Sequence, residues 1–197
     1  KQLYSHQIEA FESIRQGQDT VLVSRTASGK TLSFLLPILH DYLQADAPFG
    51  VMLLYPTKAL SRDQEGTLGR LLEASGADLR LGTFDGDTPR EERTRIQSQA
   101  DFMITNPDML HSGILPNHNR RWRTFLSRLR YIVIDEVHRI VENRGIRFLL
   151  TGSRARTLRR GGVKPPGGTA TARRPIRPPA RLEQRPPADH LLLRCPA

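Results

Sequence analysis

The sequence predicts an α/β domain built on a mostly parallel sheet with helices on both faces. Two observations carry this. Six apolar runs of strand length, at residues 20–23, 51–55, 79–83, 102–105, 131–135 and 147–151, alternate with helical stretches at 6–16, 30–44, 60–74, 90–99, 121–128 and 138–143. The runs are β-branched or Leu-rich and do not alternate in polarity, as expected of strands buried on both sides. Strand–helix alternation implies parallel strands joined by crossover helices, with ligands at the carboxyl ends of the strands.

The chain of 197 residues is long enough for one domain with a sizeable core. It has no apolar run of ~18 residues, so no membrane span is expected. The single cysteine, Cys195, excludes an internal disulfide framework and a Cys-based zinc site. The histidines His6, His40, His111 and His118 show no metal-ligand spacing. A reducing, cytoplasmic setting is expected.

The net charge of +10 is unevenly spread. Residues 1–150 hold 19 Lys and Arg against 18 Asp and Glu, whereas residues 151–197 hold 11 against two. A basic patch therefore cannot be argued for the domain itself. The predicted domain covers residues 1–160. Residues 161–197 are rich in Arg, Pro and Gly, with Pro165-Pro166, Gly167-Gly168, Pro178-Pro179 and Pro186-Pro187. Such a segment buries too little apolar surface to offset its chain entropy, and a disordered tail is expected.

The first strand runs into Ser24-Arg25-Thr26-Ala27-Ser28-Gly29-Lys30-Thr31 and then into a helix. That is the setting a phosphate-binding loop requires. Gly29 lets the backbone approach phosphate oxygens with no Cβ in the way. Amides at the helix start point at the anion. Lys30 is placed to reach the β- and γ-phosphates of ATP, and Thr31 to offer its hydroxyl to Mg²⁺. Nucleotide contacts are expected from Thr26, Ala27, Ser28, Gly29, Lys30 and Thr31. The strict pattern opens on Gly, where this chain has Ser24.

Further on, Tyr131-Ile132-Val133-Ile134-Asp135-Glu136-Val137-His138 is an apolar strand ending in two carboxylates. Asp135 suits a Mg²⁺ contact through water. Glu136 suits the orientation and deprotonation of an attacking water. His138 is placed to relay the nucleotide state to a neighbouring domain. With Lys30 these form the expected catalytic set. The competing reading is a solvated acid pair at a strand end; the phosphate loop upstream favours the catalytic one.

Four more stretches join this pair. Tyr4-Ser5-His6-Gln7 resembles the Q motif. Residues 55–64, beginning Tyr55-Pro56-Thr57-Lys58, resemble motif Ia. Gly82-Thr83-Phe84-Asp85-Gly86-Asp87-Thr88-Pro89 resembles the segment before motif Ib, and Thr105-Asn106-Pro107-Asp108-Met109-Leu110-His111 resembles motif Ib. Together with the DExH box at 135–138 they resemble the first RecA-like domain of a superfamily 2 DEAD/DEAH-box helicase. The wording of 84–89 and 105–111 is similar to the MrfA (YprA) branch of DNA-repair helicases. The resemblance covers residues 1–138. It implies a RecA-like P-loop NTPase fold, ATP hydrolysis with Mg²⁺, and a nucleic-acid partner, single-stranded DNA in preference to RNA.

By the same resemblance, the Gln7 carboxamide reads the adenine edge. Strand contacts are expected from Pro56, Thr57, Lys58, Asp87, Thr88, Thr105 and Asn106. Thr, Asn and Asp also cap helices and turns, so local structure is the competing reading for each. Trp122 lies among bases in Asn119-Arg120-Arg121-Trp122. Helix packing is favoured for it over stacking on nucleic acid.

Past the box the wording changes. Residues 137–162, including Arg144-Gly145-Ile146-Arg147-Phe148-Leu149-Leu150-Thr151-Gly152-Ser153, are similar to AAA-type ATPases that carry a DUF4143 region. A join of two ATPase fragments near 135–139 is expected. In it, residues 147–151 fill the strand slot beside the acidic strand, and Thr151 and Ser153 come near the γ-phosphate or merely form a turn. The tail has no room for motifs IV to VI, so the second RecA-like domain is expected to be missing. Three functional readings follow: an ATP-binding helicase domain, a fragment of an AAA-type ATPase, or a remnant that binds ATP without unwinding.

Overall fold

A computed structural model of the chain describes residues 3–22, 29–136 and the backbone of 190–194. Its strands are β1 (Thr20–Leu22), β2 (Gly50–Leu54), β3 (Leu81–Phe84), β4 (Phe102–Thr105), β5 (Leu129–Asp135) and β6 (His190–Arg194). They form one sheet in the order β1-β6-β5-β2-β4-β3. The run from β5 to β3 is parallel throughout. The helices are α1 (Ser5–Arg15), α2 (Lys30–Leu43), α3 (Lys58–Ala74), α4 (Arg90–Gln99), α5 (Pro107–Met109) and α6 (Arg123–Ser127).

The centre of the sheet is buried on both faces. β2 and β4 are buried at every position, which explains why these strands show no polar alternation. Alternate residues of β2 divide between two cores, as the strand period of two requires. Val51 and Leu53 pack with α1, α2 and α3 through Ile14, Phe34, Ile38 and Leu68. Met52 and Leu54 pack on the other face with Ile96 of α4 and with Trp122 and Phe125 at α6. The β2–β5 register slips between Gly50 and Val51, so that Gly50 pairs with Leu129 and Val51 with Tyr131. The extra residue, Arg130, is the bulge that puts Leu129 on the same face as Ile132 and Ile134.

Several helices have a local reason to start. Tyr4 N–H donates to the Gln7 side chain at the head of α1, and Gly17, at φ 78°, ends that turn. Thr57 Oγ1 accepts from Leu60 N–H and caps α3. Glu91 and Glu92 lie in the first turn of α4, where the helix dipole favours them. The turn at α5, continued by a π turn at Leu110–Ile114 and a 3₁₀ turn at Leu115–Asn117, is not among the expected helices. Its start signal was present: Asn106 caps it through Met109 N–H, and Pro107 takes the first position.

Within the tail that is expected to be mostly disordered from residue 161, one segment forms a strand. β6 lies between β1 and β5, antiparallel to both. Leu191-Leu192-Leu193 is an apolar triplet inside the Arg/Pro-rich segment. The facing edges of β1 and β5 offer backbone N–H and C=O groups that need partners. The expected helix at 138–143 and strand at 147–151 lie outside the described residues, as do the stretch resembling AAA-type ATPases and Thr151 and Ser153. No helix among the described residues is long and apolar enough to cross a membrane.

Candidate nucleotide and strand site

The site is assembled at the carboxyl edge of the sheet. β1 leads into the phosphate loop, and β5 ends at Asp135. In the sheet, Leu22 pairs with His190 and His190 with Asp135. The last residue of β1 and Asp135 are therefore two strand spacings apart, about 10 Å.

Gly29 is the N-cap of α2 with φ 72°, in the left-handed region. A Cβ added there would lie 2.8 Å from Gln7 Nε2. Both the backbone angle and the close approach call for glycine. Lys30 and Thr31 are the first two residues of α2, and its first turn has no acid to oppose an anion. Thr26, Ala27 and Ser28 lie outside the described residues.

Gln7 is only 3% exposed. Its Oε1 accepts from Tyr4 N–H at 3.0 Å, and its Nε2 donates to Gly29 C=O at 3.0 Å. The side chain thus ties the head of α1 to the end of the phosphate loop. A carboxamide has two donor hydrogens and two acceptor lone pairs. One of each is used by these bonds. Gly29→Ala is expected to loosen this tie. We expect a loss of about 1–2 kcal/mol from the left-handed backbone alone and weaker nucleotide binding. Thermal melting together with a nucleotide titration checks it; an unchanged melt and affinity would contradict the described geometry.

Asp135 and Glu136 are half-buried at the end of β5. Glu136 N–H donates to Asp135 Oδ1 at 2.8 Å, and Glu136 has φ 49°. A non-glycine residue in this region carries backbone strain, which concentrates at functional sites. Tyr55, buried at the end of β2, has its hydroxyl pushed above the ordinary tyrosine range by burial first and the Asp135 charge second. The donor set of a threonine hydroxyl and a carboxylate suits Mg²⁺, a hard cation that prefers oxygen. No His, Cys, Asp and Glu group able to hold a metal on its own occurs among the described residues. His138 lies outside them.

A second group of residues surrounds the start of α3. Lys58 Nζ lies 3.1 Å from Asp87 Oδ1, and Arg62 Nη2 lies 2.8 Å from Asp87 Oδ2. These partners hold the Asp87 carboxyl below its usual range, the Lys58 hydrogen bond most of all. Asp87 sits on a braced loop. Asp87 N–H donates to Asp85 Oδ1, Asp85 N–H donates to Thr88 Oγ1, and Thr88 Oγ1 donates to Thr83 C=O. Arg93 donates to the carbonyls of Asp85, Gly86 and Thr88.

Thr88, Thr105 and Asn106, expected from the sequence to contact a strand, have their side chains turned inward. Thr105 is fully buried and its hydroxyl donates to Phe84 C=O at 2.8 Å. Asn106 is buried as the cap of α5, and Thr88 is buried inside the loop. All three shape the loops from within. Thr57 and Lys58 are exposed, and Pro56 is half-buried. Arg62, which was not singled out from the sequence, joins Lys58 because it stands one helical turn on. Trp122 is fully buried, with Nε1 donating to Gly113 C=O, so it packs the core.

The parallel sheet, its flanking helices and the acidic strand are those of a RecA-like α/β domain. The DEAD/DEAH box helicase family matches residues 4–175, and the chain belongs to that family. It is 44% identical over 137 residues to the uncharacterized ATP-dependent helicase YprA of Bacillus subtilis (strain 168), covering 70% of this chain and 18% of that protein. It is 42% identical to the ATP-dependent helicase HRQ1 of Saccharomyces cerevisiae over 139 residues, covering 68% of this chain and 12% of that one. The structure resembles the DUF1998 helicase MrfA at TM-score 0.72 and 37% identity, over 81% of this chain and 25% of that one. It also resembles MrfA bound to DNA and AMPPNP, at TM-score 0.64 and 44% identity, over 68% and 19%. The chain thus spans less than a fifth of the curated relatives named here.

Proposed function

We propose that this chain is the ATP-binding domain of an ATP-dependent DNA helicase. The observation that carries the proposal is the register across the sheet. It sets the strand before the phosphate loop level with Asp135, with Lys30 at a helix start that has no opposing acid. Lys30 neutralises the β- and γ-phosphates. Thr31 and Asp135 hold Mg²⁺, which supplies charge compensation for the transferred phosphoryl group. Glu136 orients the attacking water and accepts its proton, as its place beside Asp135 allows. Gln7 holds the loop and presents its remaining donor and acceptor to the adenine.

Thr57 and Lys58 face the strand, through phosphates rather than bases. Single-stranded DNA is the proposed partner, and unwinding is proposed to require a second RecA-like domain that contributes arginines. The test is a titration with a fluorescent ATP analogue, with and without single-stranded DNA. Nucleotide affinity is expected to rise about fivefold with the strand present, at the low end of ordinary coupling. Nucleotide binding that ignores the strand would favour a generic ATPase and overturn this proposal.

A further inference from the structure

Lys58 and Arg62 stand one turn apart at the start of α3, 47% and 60% exposed. Two cations on one face at that spacing form a pocket for one anion. In this structure the anion is the chain's own. The Asp87 carboxylate bridges both cations with one oxygen each and is itself 60% exposed. A phosphodiester offers Lys58 and Arg62 what this carboxylate offers them: two acceptor oxygens and one negative charge.

The loop beneath is fixed while its tip is not. The backbone at 85–88 is held by Thr88, by Asp85 and by three carbonyls bound to Arg93. Only the Asp87 side chain needs to rotate for the carboxylate to leave. Arg62 then keeps an anchor, since the buried Asp85 lies 3.8 Å from its Nη2. Exposed ion pairs are weak and screened by salt, so exchange of one anion for another is feasible at little cost.

We propose that Lys58 and Arg62 form a subsite for one backbone phosphate of nucleic acid, and that Asp87 occupies it until a strand displaces it. The inference rests on the reading of this face as the strand-binding one, and it reverses the role expected for Asp87. Asp87 is a competitor of the strand. It lowers affinity for any phosphodiester chain while the neighbouring loops set the register.

The test is fluorescence anisotropy of labelled oligo(dT) with the full chain, between about 50 and 200 mM salt. Asp87→Asn is expected to tighten binding about fivefold, the Boltzmann factor of one unit charge near a phosphate in water. The salt slope should steepen by about 0.7, the increment of one more neutralised phosphate on a single strand. In a Lys58→Ala/Arg62→Ala background, the gain from Asp87→Asn should vanish. If the wild-type chain binds and Lys58→Ala weakens it, but Asp87→Asn binds no better than wild type, the displacement idea is overturned and the strand-binding face stands. A gain that persists in the double-alanine background also overturns it, as simple charge repulsion. If the wild-type chain does not bind the strand, both fall.

Discussion

Lys30→Ala is expected to weaken ATP binding by roughly ten- to a hundredfold, the worth of a hydrogen bond to a charged group. The reason is local. Lys30 is the first residue of α2, directly after a left-handed Gly29, so its ammonium is the side-chain charge at the helix start where the phosphates are proposed to bind. The paired substitution separates binding from chemistry. Glu136→Gln keeps the shape and the backbone bond to Asp135 Oδ1 but loses the base. It should leave nucleotide binding in place and lower turnover by about 10²-fold or more. A titration and a phosphate-release assay on the two variants decide it. Turnover that persists in both would remove Lys30 and Glu136 from the site.

Trp122→Ala carries the largest expected loss of stability. Trp122 is fully buried between Phe84 and Phe125, edge-on to both rings at centroid distances of 4.6 and 6.2 Å. Truncating a buried Trp costs about 3–5 kcal/mol. The change also leaves the Gly113 carbonyl without the indole donor. The melting temperature should fall on the order of 10 °C, read by circular dichroism because Trp122 is the sole tryptophan. A variant that melts like wild type but loses strand affinity would return Trp122 to a stacking role on nucleic acid.

The sites differ in how far the sequence exposes them. The phosphate loop and the acidic strand are legible because their chemistry is local: a glycine, a lysine and a threonine in succession, and two carboxylates at a strand end. The strand-facing residues are less legible. Thr88, Thr105 and Asn106 have the right chemistry for phosphate contacts, yet backbone groups claim them, those of their own loops for Thr88 and Asn106 and the end of β3 for Thr105. Nothing in the sequence tells an inward hydroxyl from an outward one. Arg62 and Asp87 lie 25 residues apart, so their pairing depends on where α3 and the loop after β3 end up in space.

The sequence by itself determined the α/β class and the positions of the principal strands and helices, because each follows from local periodicity, and it offered the proposed phosphate loop and acidic partner as short runs of residue types. Tertiary structure alone decided what lies between β1 and β5. The slot is filled by His190–Arg194 running antiparallel, far along the chain from either neighbour. Any apolar segment able to satisfy the two open edges can compete for such a slot, and the choice among segments is made by backbone pairing across the assembled sheet. It likewise decided that Asp87 covers Lys58 and Arg62, since an ion pair between distant residues exists only after the fold has brought them together.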